Sequence, residues 1–399
     1  MKPVTRLFLI TTGWTLAFYM ASSFMSAWFW HIGSGFLPIV RFYIVLFLTM
    51  TVTFAVAAVW LRPPRSVVFM TIGIFFNAVF LAALLWLGPR ARDLLPELAI
   101  LEGLSSGCYW LAWFTLSAQW ITPGDSHWYN SWTGSLEALL GLIVPPASGW
   151  VITRLPGAAG YRLVFLVGLA SLAANLLIIG PAWATTPPAP RPVRPQTLRI
   201  PGWRPLLLSF VSLGLRDGLY FFLPPLLLFI VSHSPELLGI YTAMQATVQG
   251  LVFTWLGRTP RIRPLIYAVA LSWLAFGLFW LPLTPGVLLG LGGLVALAYP
   301  SFKVALESQA LQWITQFGTD FSHQARLTAI KEVAINSGRL VSLLVVMLLI
   351  ITHPRLHPNQ LGPLLAVWAI TPVAIWWWHQ KSVQQHDAGS SLPRQSSQL

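Results

Sequence analysis

The sequence predicts an all-α integral membrane protein of twelve transmembrane helices in two parallel six-helix halves. Three observations carry that expectation. Of 399 residues, 56% are hydrophobic and 9% charged, where soluble domains carry roughly 25% charged residues. Apolar stretches of about 20 residues, enough to cross a hydrocarbon core of about 30 Å, recur from one end of the chain to the other. A polar segment rich in proline and arginine, "TTPPAPRPVRPQTLRIPGW" at 185–203, divides those stretches into two equal sets.

The expected spans lie at 6–30, 36–61, 66–87, 94–120, 131–152, 162–183, 205–231, 236–256, 264–283, 286–311, 327–351 and 361–380. The first follows "MKPVT"; its apolar run is too long for a secretory signal and lacks a small-residue cleavage site. Span two ends at Trp60-Leu61 before "RPPR", and span three follows at once. Span four holds the lone cysteine, Cys108, which therefore has no disulfide partner in the chain and reads as packing. Span five carries Gly141, Pro146 and Gly149, and span six leads into the polar connection. In span seven, "GLRDGLYFFLPPLLLFI" places Arg216 and Asp217 in an apolar run. There Gly214 and Gly218 permit close helix approach, and Pro224-Pro225 predicts a kink. Span eight ends at Trp255-Leu256 before "GRTPRIR"; spans nine to eleven follow, and span twelve ends in "WWW" at 376–378, an interfacial belt.

Orientation follows from lysine and arginine near the span ends. With the N-terminus inside, inner segments hold fourteen basic residues and outer segments five, the other five of the 24 lying within spans. Both termini are thus expected in the cytoplasm and the protein in the cell membrane. The formal charge of +13 reflects this inner bias and contact with anionic lipid, not nucleic acid. The domain plan is a first half at 1–184, a linker at 185–204, a second half at 205–381 and a polar tail at 382–399. One offset of 195 relates Trp60-Leu61 to Trp255-Leu256, and Asp125 and Glu137 to Asp320 and Glu332, as a parallel duplication requires.

At this point the chain resembles the major facilitator superfamily: twelve spans, two parallel halves, termini inside, a basic central connection and basic loops after spans two and eight. Of the family's loop motif it keeps Arg62 and Arg65 after span two, and Gly257 with three arginines, among them Arg258, after span eight. The acidic residue of that motif is absent. Span five matches the glycine-proline signature of the family's proton-antiporting exporters at Gly141, Pro146 and Gly149, with Trp132, Pro145 and Trp150 where glycines would stand. The resemblance implies that spans three, six, nine and twelve face lipid and that the rest surround a central cavity.

Charges inside spans are costly, about 2.5–3.5 kcal/mol each at a helix centre, and mark function or fixed ion pairs. Arg41, Arg216, Lys303, Lys331 and Arg339 balance Glu102, Glu137, Asp217, Glu307 and Glu332, and all fall in spans two, four, five, seven, ten and eleven. Arg216 lies about 15 Å into span seven, near the midplane. Consecutive Arg216 and Asp217 point about 100° apart and are expected to find different partners; interhelical salt bridges are the plain alternative. Lys303 and Glu307, four apart, can pair. Glu332, Asn336 and Arg339 form one stripe, with Lys331 pointing elsewhere. Glu102, Ser105, Ser106, Tyr109 and Trp113 form a polar-aromatic face on span four, unless Glu102 merely bridges Arg41. Glu137, a carboxylate in an apolar wall, can be neutral in one state and charged in another; pairing with a basic loop residue is the alternative.

These residues divide into roles. Proton-coupling candidates are Asp217, Glu137, Glu332 and Glu102; substrate candidates are Arg216, Lys303, Glu307, Arg339, Asn336, Tyr109 and Trp113; inner-gate candidates are Arg62, Arg65, Lys331 and Arg258. The expected function is secondary transport by alternating access, as proton-coupled efflux of a small amphipathic molecule. An importer, a flippase of lipid-linked substrates, and a non-transporting sensor are the alternatives. An enzyme is not expected: "GLSSG" at 103–107 satisfies GxSxG inside a span, where its glycines mark helix packing. No phosphate-binding loop points to ATP, and Pro354 and Pro358 break the helix that would align His353 with His357 for a metal. Partners are then a small-molecule substrate, protons and membrane lipids, with no cofactor and a monomeric state expected.

Overall fold

The computed structural model describes residues 1–60, 63–180, 200–258, 264–318, 321–352 and 366–390. Arg62, His353, His357, Asp320 and most of the linker lie outside them. Among the described residues the chain is helical, without strands. The helices are α1 (Pro3–His31), α2 (Phe36–Trp60), α3 (Pro63–Leu87), α4 (Leu95–Trp120), α5 (Pro123–Arg154), α6 (Ala159–Ile179), α7 (Trp203–Tyr220), α8 (Leu223–Ser232), α9 (Pro235–Arg258), α10 (Pro264–Leu278), α11 (Pro285–Phe317), α12 (Phe321–Thr352) and α13 (Ile370–Ser390). Short 3-10 segments precede α4, at Gly88–Leu94, and α13, at Ala366–Ala369.

Proline opens many of these helices because its missing N–H falls where a helix has no intrahelical acceptor; Pro3, Pro63, Pro123, Pro235, Pro264 and Pro285 all stand at a first position. Thr284 caps α11 by accepting from the Val287 N–H at 3.3 Å, and Ser234 caps α9 through Leu237 at 3.1 Å. Many serine and threonine hydroxyls donate to the carbonyl one turn back, as Thr51 does to Phe47 at 2.6 Å. That habit satisfies a hydroxyl in an apolar setting without a partner helix.

Among the described residues, eight helical stretches are long and apolar enough to cross a membrane. α3 and α4 run together as one such stretch, Arg65–Trp120, and α7 with α8 as another, Trp203–Ser232. Helix α10 is apolar but short, and α13 carries the expected last span into the polar segment beyond 382. Large apolar side chains point outward, Trp86 at 87% exposure and Leu177 at 80% among them. Such surfaces belong in lipid, and the fold is that of a multi-pass membrane protein.

Packing follows the small residues. Gly103 and Gly107 of α4 sit on α2, where an added Cβ would stand 2.6 Å from the Leu46 carbonyl oxygen and 2.6 Å from the Thr53 Cβ. The GxSxG pattern is thus a helix contact. Gly214 and Gly218 of α7 meet Gly338 and the Ile335 and Arg339 backbone of α12 in the same way. In α5, Gly141 abuts Ala246 and Tyr19, Gly149 abuts Pro235 and Glu236, and the Pro145 carbonyl lies against Gly239 of α9. The span-five glycines and prolines therefore build the α5–α9 contact. The main packed pairs are α1 with α5 and α6, α2 with α4 and α12, α3 with α4 and α6, α5 with α9, α7 with α12 and α13, and α11 with α9 and α10.

Candidate functional site

The expected kink in span seven is a full break. α7 ends at Tyr220, a turn occupies Phe221-Phe222, and α8 begins at Leu223. The cause is local: Pro224 and Pro225 cannot donate to the carbonyls of Tyr220 and Phe221, so the helical ladder cannot pass through them. The Phe221 N–H still donates to the Asp217 carbonyl at 2.9 Å, closing α7. One turn before the break stand Arg216 and Asp217.

Their geometry corrects the expectation that neighbours 100° apart must part company. Arg216 Nη1 donates to Asp217 Oδ1 at 3.3 Å, because the long guanidinium arm curls back along the helix. Asp217 does find a second partner: Arg339 Nη2 of α12 lies 3.8 Å from Oδ2. Arg339 Nη1 also donates to Asn336 Oδ1 at 3.0 Å, so two members of the expected α12 stripe join directly. Arg216 is 1% exposed, and its guanidinium lies over Tyr220, Phe302 and Tyr299 at 5.0, 5.4 and 5.8 Å. Among the described residues, two of its nitrogens, Nε and Nη2, have no hydrogen-bond partner. Arg339 lies over Phe47 of α2, 5.1 Å from the ring.

Lys303 does not pair with Glu307. Instead Glu307 Oε2 lies 2.6 Å from Lys331 Nζ, and Glu332 Oε1 lies 2.9 Å from the same ammonium. Lys331, expected to point away from the stripe and to serve an inner gate, is 2% exposed and ties α12 to α11. It also lies 4.9 Å from the ring of Phe114 on α4. Among the described residues Lys303 has no ion pair within 4.0 Å; it lies over Tyr299 at 5.8 Å and in electrostatic reach of Glu307, Asp217 and Glu137. Its side chain is solvent-exposed.

Glu137 is exposed and lines a cavity of about 320 Å³ with Trp113, Tyr129 and Asn130. Behind it, Trp113 Nε1 donates to Thr11 Oγ1 at 3.1 Å and Thr11 meets the Tyr129 hydroxyl at 3.2 Å, joining α1, α4 and α5. Tyr109 does not line this space; it is fully buried and stacked on Trp14 at 3.6 Å between centroids. Glu102 forms no bridge to Arg41, which is exposed. Its carboxylate accepts from Asn77 Nδ2 at 3.1 Å and Ser106 Oγ at 3.4 Å. Arg65 and Arg258 are exposed at the ends of α3 and α9.

A set of ring contacts joins α2 to the break between α7 and α8. Tyr43 of α2 packs on Phe222 at 5.0 Å and Phe221 at 5.9 Å, Phe47 on Phe221 at 6.0 Å and Phe36 on Phe222 at 6.4 Å. This layer, with Asn77 and Tyr299, escaped a reading that followed charges alone. Asn77 was legible as a polar residue amid "FFNAVF"; the ring contacts join segments far apart in sequence and left no signal.

No family model matches the chain. The uncharacterised protein YqgE of Bacillus subtilis (strain 168) is 24% identical over 354 residues, 86% of this chain and 82% of that protein. An uncharacterised protein in the sodM 3' region of Geobacillus stearothermophilus is 29% identical over 153 residues, 38% of this chain and 72% of that protein. Among solved structures, a bacterial homologue of the iron transporter ferroportin in an inward-facing state superposes with a TM-score of 0.61 at 15% identity, covering 96% of this chain and 98% of that one. A bacterial metal transporter gives 0.60 at 16% identity over 96% and 98%. The nucleoside transporter NupG gives 0.64 at 13% identity over 96% and 100%. The chain has the fold of these membrane transporters.

Proposed function

We propose that the protein is a secondary transporter working by alternating access, coupling proton entry to efflux of a small amphipathic molecule that carries an anionic group. The observation that carries this reading is the broken α7–α8 element, with Asp217, Arg216, Arg339 and Lys303 grouped beside it. Discontinuous helices serve transporters as binding sites near the midplane. Three basic side chains against Asp217 and Glu137 favour an anionic group over the metal ions named for two of the structural neighbours.

Twelve crossings in two halves, 1–184 and 205–381, fit the packing if α7 and α8 count as one crossing. Pairs within the first half recur six crossings later: α1–α6 as α7–α13, α3–α4 as α10–α11, α2–α4 as α9–α11, and α1–α5 as α7–α12. Between halves, α2–α12 and α5–α9 exchange under the same shift. Such a pair of related interfaces supports rocking about the cavity. With both termini in the cytoplasm, the Glu137 mouth faces inward and the aromatic layer seals the outside. Asp217 and Glu137 are the proton carriers in this reading, and the span-five signature favours efflux. The protein works as a monomer in the cell membrane.

The test is proton movement in proteoliposomes with an internal pH dye, screening small anionic amphiphiles against the wild type and Asp217→Asn. Substrate-dependent flux that the substitution abolishes is expected, and its sign distinguishes efflux from import. A screen without flux, together with labels across the cavity that never change separation, would replace the transporter by a sensor.

A further inference from the structure

Arg216 is 1% exposed, yet among the described residues only its Nη1 has a hydrogen-bond partner, the Asp217 carboxylate at 3.3 Å. Its Nε and Nη2 are buried donors without an acceptor. These two N–H groups run parallel along one edge of the guanidinium, the edge that grips an anion with two bonds at once. Arginine does not give up its proton inside a protein, so the charge persists where it is buried. An unmet donor on a buried charge is strongly unfavourable.

The charges around it do not balance. Among the described residues Asp217 is the only carboxylate within 4.0 Å of Arg216 or of Arg339, whose Nη2 lies 3.8 Å from Oδ2. Two guanidiniums therefore share one carboxylate. Lys303 of α11 adds a further positive charge over the same Tyr299 ring as Arg216, each at 5.8 Å. The nearest acids of α11 and α12, Glu307 and Glu332, are held by Lys331.

The other unmet polar atoms of this cluster can also donate. Asn336 spends its Oδ1 on Arg339 Nη1 at 3.0 Å, which leaves its Nδ2 as a buried donor beside an equally unmet Arg339 Nε. One turn along α7 from Arg216, the Tyr220 hydroxyl is buried and without a partner, and its ring lies 5.0 Å from the guanidinium carbon.

We propose that the Nε–Nη2 edge of Arg216, together with the Tyr220 hydroxyl, holds a small monovalent inorganic anion between α7 and α11, with chloride as its representative. The charge of the ligand follows from two guanidiniums against one carboxylate. Its size follows from burial: Phe302 is fully buried and Tyr220 is 8% exposed, so the walls leave no path for an organic tail. The anionic group of a transported molecule is then left to Lys303, whose side chain is exposed. If Asp217 takes up a proton, the resident anion keeps the two guanidiniums from being stranded.

This site goes beyond the transporter reading, and its test uses no transported substrate, so either can fail alone. The purified full chain is melted in detergent at fixed ionic strength and pH while sodium gluconate is exchanged for sodium chloride or sodium nitrate. The wild type should gain stability with the small anion and saturate, as binding to the folded state alone requires. A larger gain with chloride identifies a halide site, and a larger gain with nitrate a site for planar oxyanions; both support the proposal. Arg216→Gln should abolish the dependence. Tyr220→Phe, which keeps the ring and loses one donor, should move half-saturation to about tenfold higher anion. Equal melting in gluconate, chloride and nitrate overturns the proposal. So does a dependence that survives Arg216→Gln, which would mean an adventitious surface ion only. Should Arg216→Gln fail to fold, Tyr220→Phe decides, and an unmoved half-saturation overturns the site.

Discussion

Lys331 Nζ of α12 lies 2.6 Å from Glu307 Oε2 of α11, and the ammonium is 2% exposed. Removing one partner of a fully buried pair costs about 3–5 kcal/mol. The Glu307 side chain is 32% exposed, however, so solvent screening brings the loss in Glu307→Gln to about 1–2 kcal/mol. Thermal melting in detergent should show that loss, and Lys331→Met should lose more, because it strands Glu307 and the buried Glu332 together. A Lys331→Met variant no less stable than Glu307→Gln would mean that Glu332 does not depend on the ammonium.

Gly218 lets α7 lie on the backbone of α12. An added Cβ would stand 2.8 Å from the Arg339 carbonyl oxygen, a backbone atom that cannot swing away. Gly218→Ala should therefore cost about 1–3 kcal/mol, as overpacking does, and lower the melting temperature. Gly250→Ala, with nothing within 4 Å of its new Cβ, is the control and should melt like the wild type.

Among the described residues Lys303 has no ion pair to lose, so Lys303→Ala should leave the melting temperature nearly unchanged. For an anionic substrate found by the flux screen, one charge-assisted hydrogen bond of about 1.5–3 kcal/mol predicts weaker binding by one to two orders of magnitude. Substrate-induced tryptophan quenching measures this. Equal affinity in the variant would remove Lys303 from the binding site.

Tyr43 holds Phe222 across the break. An aromatic pair is worth about 0.5–1.5 kcal/mol beyond its buried area, so Tyr43→Ala should shift the balance of states about two- to tenfold toward opening on that side. A Cys substitution at Phe221, in a Cys108→Ser background, should then react faster with a membrane-impermeant thiol reagent added from the side opposite the termini. An unchanged rate would show that the ring layer is packing and not a gate.

Composition and span length determined the helical membrane class, because lipid admits few alternatives to apolar helices of that length. The glycines at 103, 107, 214 and 218 were legible as contacts for a similar reason: only a missing side chain lets backbones meet, and spacing shows on which face. Pro224-Pro225 marked where α7 fails, since a missing donor is a local property. Which charges meet was not local. Lys303 and Glu307 had the spacing of a pair, but Lys331 from another helix took Glu307. The alternative reading of Glu102, a bridge to Arg41, gave way to Asn77 and Ser106. Long side chains such as Arg216 also reach neighbours that helical angles appear to separate. Partner choice inside a membrane depends on which helices pack together and at what height, and that is settled only when the tertiary structure assembles.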